Sequence, residues 1–359
     1  MLKYNKKTSY GFVLLTVLWL LAIISIIVSF FAKWTNESIE EAQKARDNTQ
    51  GLIAMHSTQA IILYTLSTQQ VNIAGITTSK NEISPPSFDD MLDIGRFNLN
   101  STGTEIRLDD RTYQGKGNTY FSLQDKSGLY NLNIATIDNS ESVRRPLLRI
   151  LANFNIPAEH RSGLLDKLQD YTDMDDNHRI NGAEKYHYRK KSLYPPPNRS
   201  LFHPMEIYNV MDWQYYKHLW QNNTWAQLTT TSFAGALNIN AAPLFILKSL
   251  DEIDAETAEK IITLRQKSPF LSIDNLSTAI GINLSTGGLN DTRFRFYPSE
   301  FIRFSLWHKG GNFIRQIHLK ITPNADKKQP WYIAYVNDIP MNDKYKKQTI
   351  NLSQLSYLK

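Results

Sequence analysis

Between residues 12 and 32 the chain reads FVLLTVLWLLAIISIIVSFFA, with no ionisable side chain. No other feature limits its fold as strongly. Coiled as a helix, the run is about 30 Å long, the thickness of a bilayer's hydrocarbon core. A secretory signal has a shorter apolar stretch, about 7–15 residues, followed by small residues at a cleavage site. Here the run ends at Phe30 and Phe31, then Lys33 and Trp34, an aromatic and cationic border suited to a membrane interface. Lys3, Lys6 and Lys7 precede it, so the positive-inside rule keeps the amino end cytoplasmic and sends the rest across. A buried core helix fits poorly, because nothing folded precedes the run to cover it.

Beyond the membrane the sequence stays helical in pattern. Residues 36–67 contain no Pro and one Gly, and Ile39, Ala42, Ala45, Leu52, Met55, Ile62 and Leu66 recur at near-helical intervals. The spacing predicts one helix over residues 12–67, its first half in lipid and its second half packed on a soluble domain.

A Lys-rich leader, Gly11, Phe12, an apolar helix and an amphipathic continuation together resemble the type IV pilin and pseudopilin class. The resemblance implies that a prepilin peptidase removes residues 1–11 by cutting after Gly11 and N-methylates Phe12. A Gly suits a peptide that must thread a protease site, since any side chain would obstruct it. Most members of that class carry Glu at the fifth mature position, where it neutralises a neighbour's buried amine; this chain has Thr16. An unpaired charge in lipid is costly, so the resemblance and this departure imply a specialised subunit at a filament tip, where no further amine needs pairing.

The remaining sequence predicts an α+β soluble part. Residues 78–90 (TSKNEISPPSFDD) read as a loop. Residues 120–133 suggest a strand or a hairpin turning at Lys126, Ser127 and Gly128. From Glu141 to about Leu284 the period is helical, with Pro157 and Pro243 at helix starts and YPPPNR (194–199) as a crossing loop. After Asn290 strands return, with a hairpin about Lys309, Gly310 and Gly311 and a further strand in WYIAYVN. An α/β domain interrupted by an all-helical insertion explains this order. The expected division is a leader (1–11), the long helix (12–67, with 12–32 transmembrane), a first α/β part (68–138), the inserted block (139–288) and a closing β part (289–359).

The phrases FSLQDKSGLYNLN, DYTDMDDNHRINGAE and LNINAAPLFILKSL, in that order after a pilin-type helix, resemble the minor pseudopilin K family of type II secretion systems. That resemblance implies a pilin-like α/β fold with an inserted α-domain at the tip of a short periplasmic pseudopilus. It also implies an inner-membrane protein, partnered by the minor pseudopilins I and J, the prepilin peptidase and the inner-membrane secretion platform. Bulk agrees, because a soluble part of this size would clash along a shaft of thin subunits but not at its end.

Residues 173–184 have the spacing of a calcium loop. Asp173, Asp175 and Asn177 fall at positions 1, 3 and 5; Arg179 offers a carbonyl at 7, Asn181 or a water stands at 9, and Glu184 lands at 12. Against this, position 6 is His178 rather than Gly, and no apolar helix follows. Spacing alone therefore leaves a solvated acidic loop and a cation site both open. The resemblance implies a structural calcium, with Asp176 as a further ligand; Lys185 after Glu184 tells against a second ion.

Other chemistry finds little footing. The chain has no Cys, which removes thiol catalysis and Cys-based zinc sites. Its net charge of +6 comes from scattered cations, apart from short runs at Arg189 to Lys191 and Lys344 to Lys347. These read as solvated surface. Residues 237–276 resemble a helix–hairpin–helix unit, but the turn Asp251-Glu252-Ile253-Asp254 holds three acids and no Gly. It would repel a phosphate backbone. A packing scaffold with Leu247, Leu250, Ile261 and Leu264 as core is the expectation, with no nucleic acid bound. No His-Glu-x-x-His, Gly-x-Ser-x-Gly or phosphate loop occurs. The aromatics of MDWQYYKHLW and QPWYIAYV suit core or protein contacts. The expectation is a non-enzymatic tip subunit. A membrane-tethered periplasmic hydrolase with a catalytic metal at residues 173–184 is the alternative, and a DNA-uptake pseudopilin a third.

Overall fold

The long helix α1 runs over Tyr10–Thr68 without a break, as the uninterrupted helical period required. The computed structural model describes residues 10–78, 101, 103–137, 140–232, 235–284, 293–322 and 330–341. Most of the leader, all but the first residue of the loop expected over 78–90, the run Lys344 to Lys347 and the expected boundaries at 138–139 and 288–289 lie outside the described residues. Two compact units divide the chain, Met1–Ile53 and Ala54–Lys359, the boundary falling inside the helix.

In the first unit the helix is bare. Every large apolar side chain from Phe12 to Phe31 is exposed, which in water would be untenable and in lipid is the stable arrangement. Ile39 is also exposed, as are Ala42 and Ala45, which corrects the expectation that the whole second half of the helix is packed. Burial begins only in the last turns, with Met55, Ile62 and Leu66 buried and Leu52 half-buried.

The second unit is built on one antiparallel sheet of five strands: β1 (Asp109–Gln114), β2 (Thr119–Asp125), β3 (Phe301–His308), β4 (Phe313–Ile321) and β5 (Trp331–Pro340). Their spatial order is β5-β4-β3-β2-β1, so the sheet is a simple meander except that residues 126–300 intervene between neighbouring strands. Strands β3 and β4 form the hairpin expected about Gly310. The turn at Lys126–Gly128 is no hairpin. It is a single 3-10 turn that leads the chain out of the sheet into Tyr130–Asn131, which pairs in parallel with Thr229–Thr230.

The sheet has two different faces. On one, Phe121, Leu123, Phe304, Leu306 and Ile317 are buried, and Phe121 meets Phe304 edge-on at 6.1 Å. Thr119 shares this face, and its hydroxyl bonds that of Thr58 at 2.8 Å, which fastens the last turns of α1 there. The opposite face is polar yet also buried: Ser122, Gln124, Arg303, Ser305, Gln316 and His318. The inserted block covers it, Gln124 donating to the Ala241 carbonyl at 3.0 Å and Arg303 to that of Gln227 at 3.1 Å.

Within the block, α2 (Glu141–Asn153), α3 (Ala158–Thr172), α4 (Lys185–Lys190), α5 (Ala255–Lys267) and α6 (Ile273–Ile280) enclose a core of their own. Trp213 and Trp225 are fully buried in it, their rings 5.3 Å apart. Pro157 and Pro243 stand immediately before helices, as expected. Leu247 and Ile261 are core, whereas Leu250 and Leu264 are only partly buried against it.

Candidate functional sites: the bare helix and the acidic cup

The amino-terminal candidate is an exposed apolar stripe. Phe12, Leu15, Thr16, Trp19, Leu20, Ile23 and Ile24 line one groove along the helix. Their spacing of three and four places them on a single face, as a helix-to-helix contact requires. Thr16 carries the only hydroxyl in this stripe, and it donates to the carbonyls of Val13 (2.9 Å) and Phe12 (3.2 Å). Its polar group is therefore satisfied within its own helix and needs no partner in lipid. Gly11 lies in the first turns of α1.

The second candidate is the loop after α3. Asp173 is the residue that ends the helix, and it sits beside Arg179, whose Nη1 donates to Asp173 Oδ2 at 2.6 Å. The same Nη1 donates to Asp170 Oδ1 at 2.5 Å, and the Arg179 N–H donates to both Asp170 oxygens at 3.1 and 3.3 Å. Glu184 is buried at the N-terminus of α4, where its carboxylate faces the first-turn backbone amides of that helix; Asp173 Oδ1 and Asn198 Oδ1 are buried without a hydrogen-bond partner. Burial, then the charges of Asp170 and Asp173, push the Glu184 carboxyl up to about 7. Asp173 is also raised, by burial acting against the Arg179 guanidinium.

The other expected ligands are placed differently. Asp175 accepts from its own loop, from the Asn177 N–H at 2.7 Å. Asp176 is exposed and 3.5 Å from Asn198 Nδ2. Asn181 turns toward Asp166, 3.5 Å away. The Arg179 carbonyl accepts the Gly182 N–H at 3.0 Å. Spacing assigned this residue a carbonyl role, but its side chain does the work in the cup. Two residues here were not expected. Asp170 is fully buried and packs so closely on Gly182 that any Cβ there would collide with its carboxylate, and Asn198 arrives from the Pro-rich loop. The buried oxygens of Asp173, Glu184 and Asn198 are hard donors of the kind that calcium takes. As the side chains stand, however, no group of three His, Asp or Glu among the described residues could hold a metal ion.

The acidic turn of the helix–hairpin–helix unit is consumed internally. Asp251 pairs with Arg149 at 3.1 Å, Glu252 with Arg293 at 2.6 Å, and Asp254 caps α5 by accepting the Thr257 N–H at 2.8 Å. The turn serves packing.

Comparison with known proteins bears on both candidates. Residues 95–219 match the family model described as "Type II secretion system (T2SS), protein K". Over that segment the chain is similar to type II secretion system protein K. The match takes in the β1–β2 hairpin, the 3-10 exit and the whole acidic cup. Among curated proteins, the type II secretion system protein K of Pseudomonas aeruginosa (strain PAO1) is 28% identical over 181 residues, 48% of this chain and 51% of that protein. The chain thus spans about half the length of that protein K relative. Among solved structures, a chain from the crystal structure of the GspK-GspI-GspJ complex of enterotoxigenic Escherichia coli superposes with a TM-score of 0.51. At 14% identity the alignment covers 83% of this chain and 99% of that one, so it shows a shared fold. These comparisons give the hydrolase alternative no support.

Proposed function

We propose that this protein is a minor pseudopilin that initiates and caps the pseudopilus of a type II secretion system, in the export of folded periplasmic proteins across the outer membrane. The observation that carries the reading is one bare apolar helix running directly into a protein K domain. Its role is assembly rather than catalysis. Residues 12–32 anchor the chain once in the inner membrane, amino end cytoplasmic, with the sheet and inserted block periplasmic. The stripe from Phe12 to Ile24 packs laterally on sister helices, and the inserted block closes the free end.

The prepilin peptidase would cut after Gly11 and methylate Phe12. The partners would be the minor pseudopilins I and J, by analogy with the solved complex, in which GspK is joined by GspI and GspJ, together with the inner-membrane platform. Thr16, satisfied within its helix, needs no neighbouring amine, which favours a place at the tip. A structural calcium would be held by Asp173 and Glu184, with Asp170 and Asn198 beside them, and would neutralise carboxylates that burial leaves exposed to one another. Mass and end-group analysis of the chain from its native membrane tests the reading. A start at methylated Phe12 and co-purification with the two smaller minor pseudopilins are expected; an intact Met1 on a solitary chain overturns it.

A further inference from the structure

Three carboxylates converge on the cup, Asp170, Asp173 and Glu184, and a single guanidinium lies among them. Arg179 bridges Asp170 and Asp173 with one nitrogen. Its backbone N–H also bonds Asp170, while the second oxygen of Asp173 goes without a partner and Glu184 faces only the first-turn amides of α4, with no cation beside it. Buried anionic oxygens are costly unless a cation compensates them, and the one guanidinium, engaged by Asp170 and Asp173, leaves Glu184 without a cation. The Arg179 side chain is still 32% exposed, so it has a path to water that crosses no core. The cup has two ways to be closed: by the guanidinium, as here, or by an ion of higher charge that draws in Glu184 as well.

We propose that Arg179 is the resident cation of this cup, and that its guanidinium and a calcium ion compete for the Asp173 carboxylate, the arginine swinging out to solvent when the metal binds. This inference rests on the reading of the loop as a calcium site. In it, position 179 is a built-in competitor that sets how much calcium the loop needs, and it holds the loop folded when calcium is scarce. A divalent ion within a few Å of a guanidinium meets strong repulsion at any dielectric a protein offers, so both cannot occupy the cup.

The test uses the full chain in detergent, titrated with calcium chloride by calorimetry and melted with either calcium or chelator present. Arg179→Gln should bind calcium roughly tenfold or more tightly than the wild type. Its melting temperature should fall in chelator and recover with calcium, while the wild type responds less. Arg179→Lys keeps a cation but loses the planar fork, and should fall between the two. Should Arg179→Gln fold only when calcium is supplied, that dependence is itself the expected result, and Arg179→Lys gives the affinity comparison. Equal affinity in the wild type and Arg179→Gln overturns the competition and leaves the calcium site standing. Weaker binding by Arg179→Gln also overturns it, because the arginine would then be organising the site. No binding by any variant, Glu184→Gln included, overturns the calcium reading and the inference together.

Discussion

Asp125 is the last residue of β2, where the chain leaves the sheet, and Ser299 stands just before β3, where it returns. The Asp125 carboxylate is fully buried and accepts five hydrogen bonds. Two come from Ser127 (N–H 3.0 Å, hydroxyl 2.6 Å), two from Ser299 (N–H 3.2 Å, hydroxyl 2.6 Å) and one from Asn238 Nδ2 (2.7 Å). One carboxylate therefore ties exit, return and block together. Asp125→Ala leaves two backbone amides and an amide side chain without their acceptor in a dry site. Each bond to a charged group is worth about 1.5–3 kcal/mol net, but the five are not additive, because desolvating the carboxylate is a cost that the alanine avoids. Measured losses on removing one member of a buried charged network are about 3–5 kcal/mol, so about 4 kcal/mol is expected here. At about 2 °C per kcal/mol for a folded part of this size, the melting temperature should fall about 8 °C. Asp125→Asn keeps the shape and one acceptor, and should lose about half as much. Thermal unfolding of the full chain in detergent, followed by far-UV circular dichroism, reads both. An Asp125→Ala melt within about 2 °C of the wild type, at the same conversion, would refute the claim that this residue joins block to sheet.

Three further outcomes are expected. Lys126 is buried beside Ser232, and burial lowers its ammonium from 10.5 to about 7. Between those values the unfolded chain holds more protons than the native one, so stability rises with pH across this window. Relative to Lys126→Met, the wild type should gain up to about 1.4 kcal/mol per pH unit in urea unfolding from pH 7 to 10. A Cβ at Gly128 would stand 2.6 Å from the Ala241 carbonyl carbon, and Gly128→Ala should cost about 1–3 kcal/mol by the same assay. Trp213 fills the centre of the block and donates its indole N–H to the Leu164 carbonyl at 2.9 Å. Trp213→Ala should cost about 3–5 kcal/mol, and a loss under about 1 kcal/mol would show that the block has no single core.

The long helix was legible because its two signals, an uncharged run and a period near 3.6, are local. Strands β3 to β5 were legible because alternation is local too. Alternation in FIRFSLWH nevertheless reads Arg303 and Ser305 as facing water. They face away from the apolar core as that pattern says, but the inserted block covers them. The period of a strand tells which face a side chain takes and carries no information about what lies over that face. The acidic cup divides in the same way. Asp173, Arg179 and Glu184 come from one short stretch and were found by spacing. Asp170 lies on α3, where it reads as part of a polar helix face, and Asn198 lies in a Pro-rich loop. Only packing brings these two to the cup. Counting positions along a loop assigns backbone carbonyls, so it could not show that the Arg179 side chain would take a cation's place.

The route of the chain has a consequence for how such proteins diversify. Strands β2 and β3 are hydrogen-bonded neighbours, so the segment between them begins and ends at one doorway in the sheet. The meander does not register how much polypeptide passes through that doorway, since its own pairing is complete without it. A lineage can enlarge or exchange outlying parts of that segment there while the five strands keep their pairing. New surfaces on the inserted block then arise without a change in the pairing of the five strands.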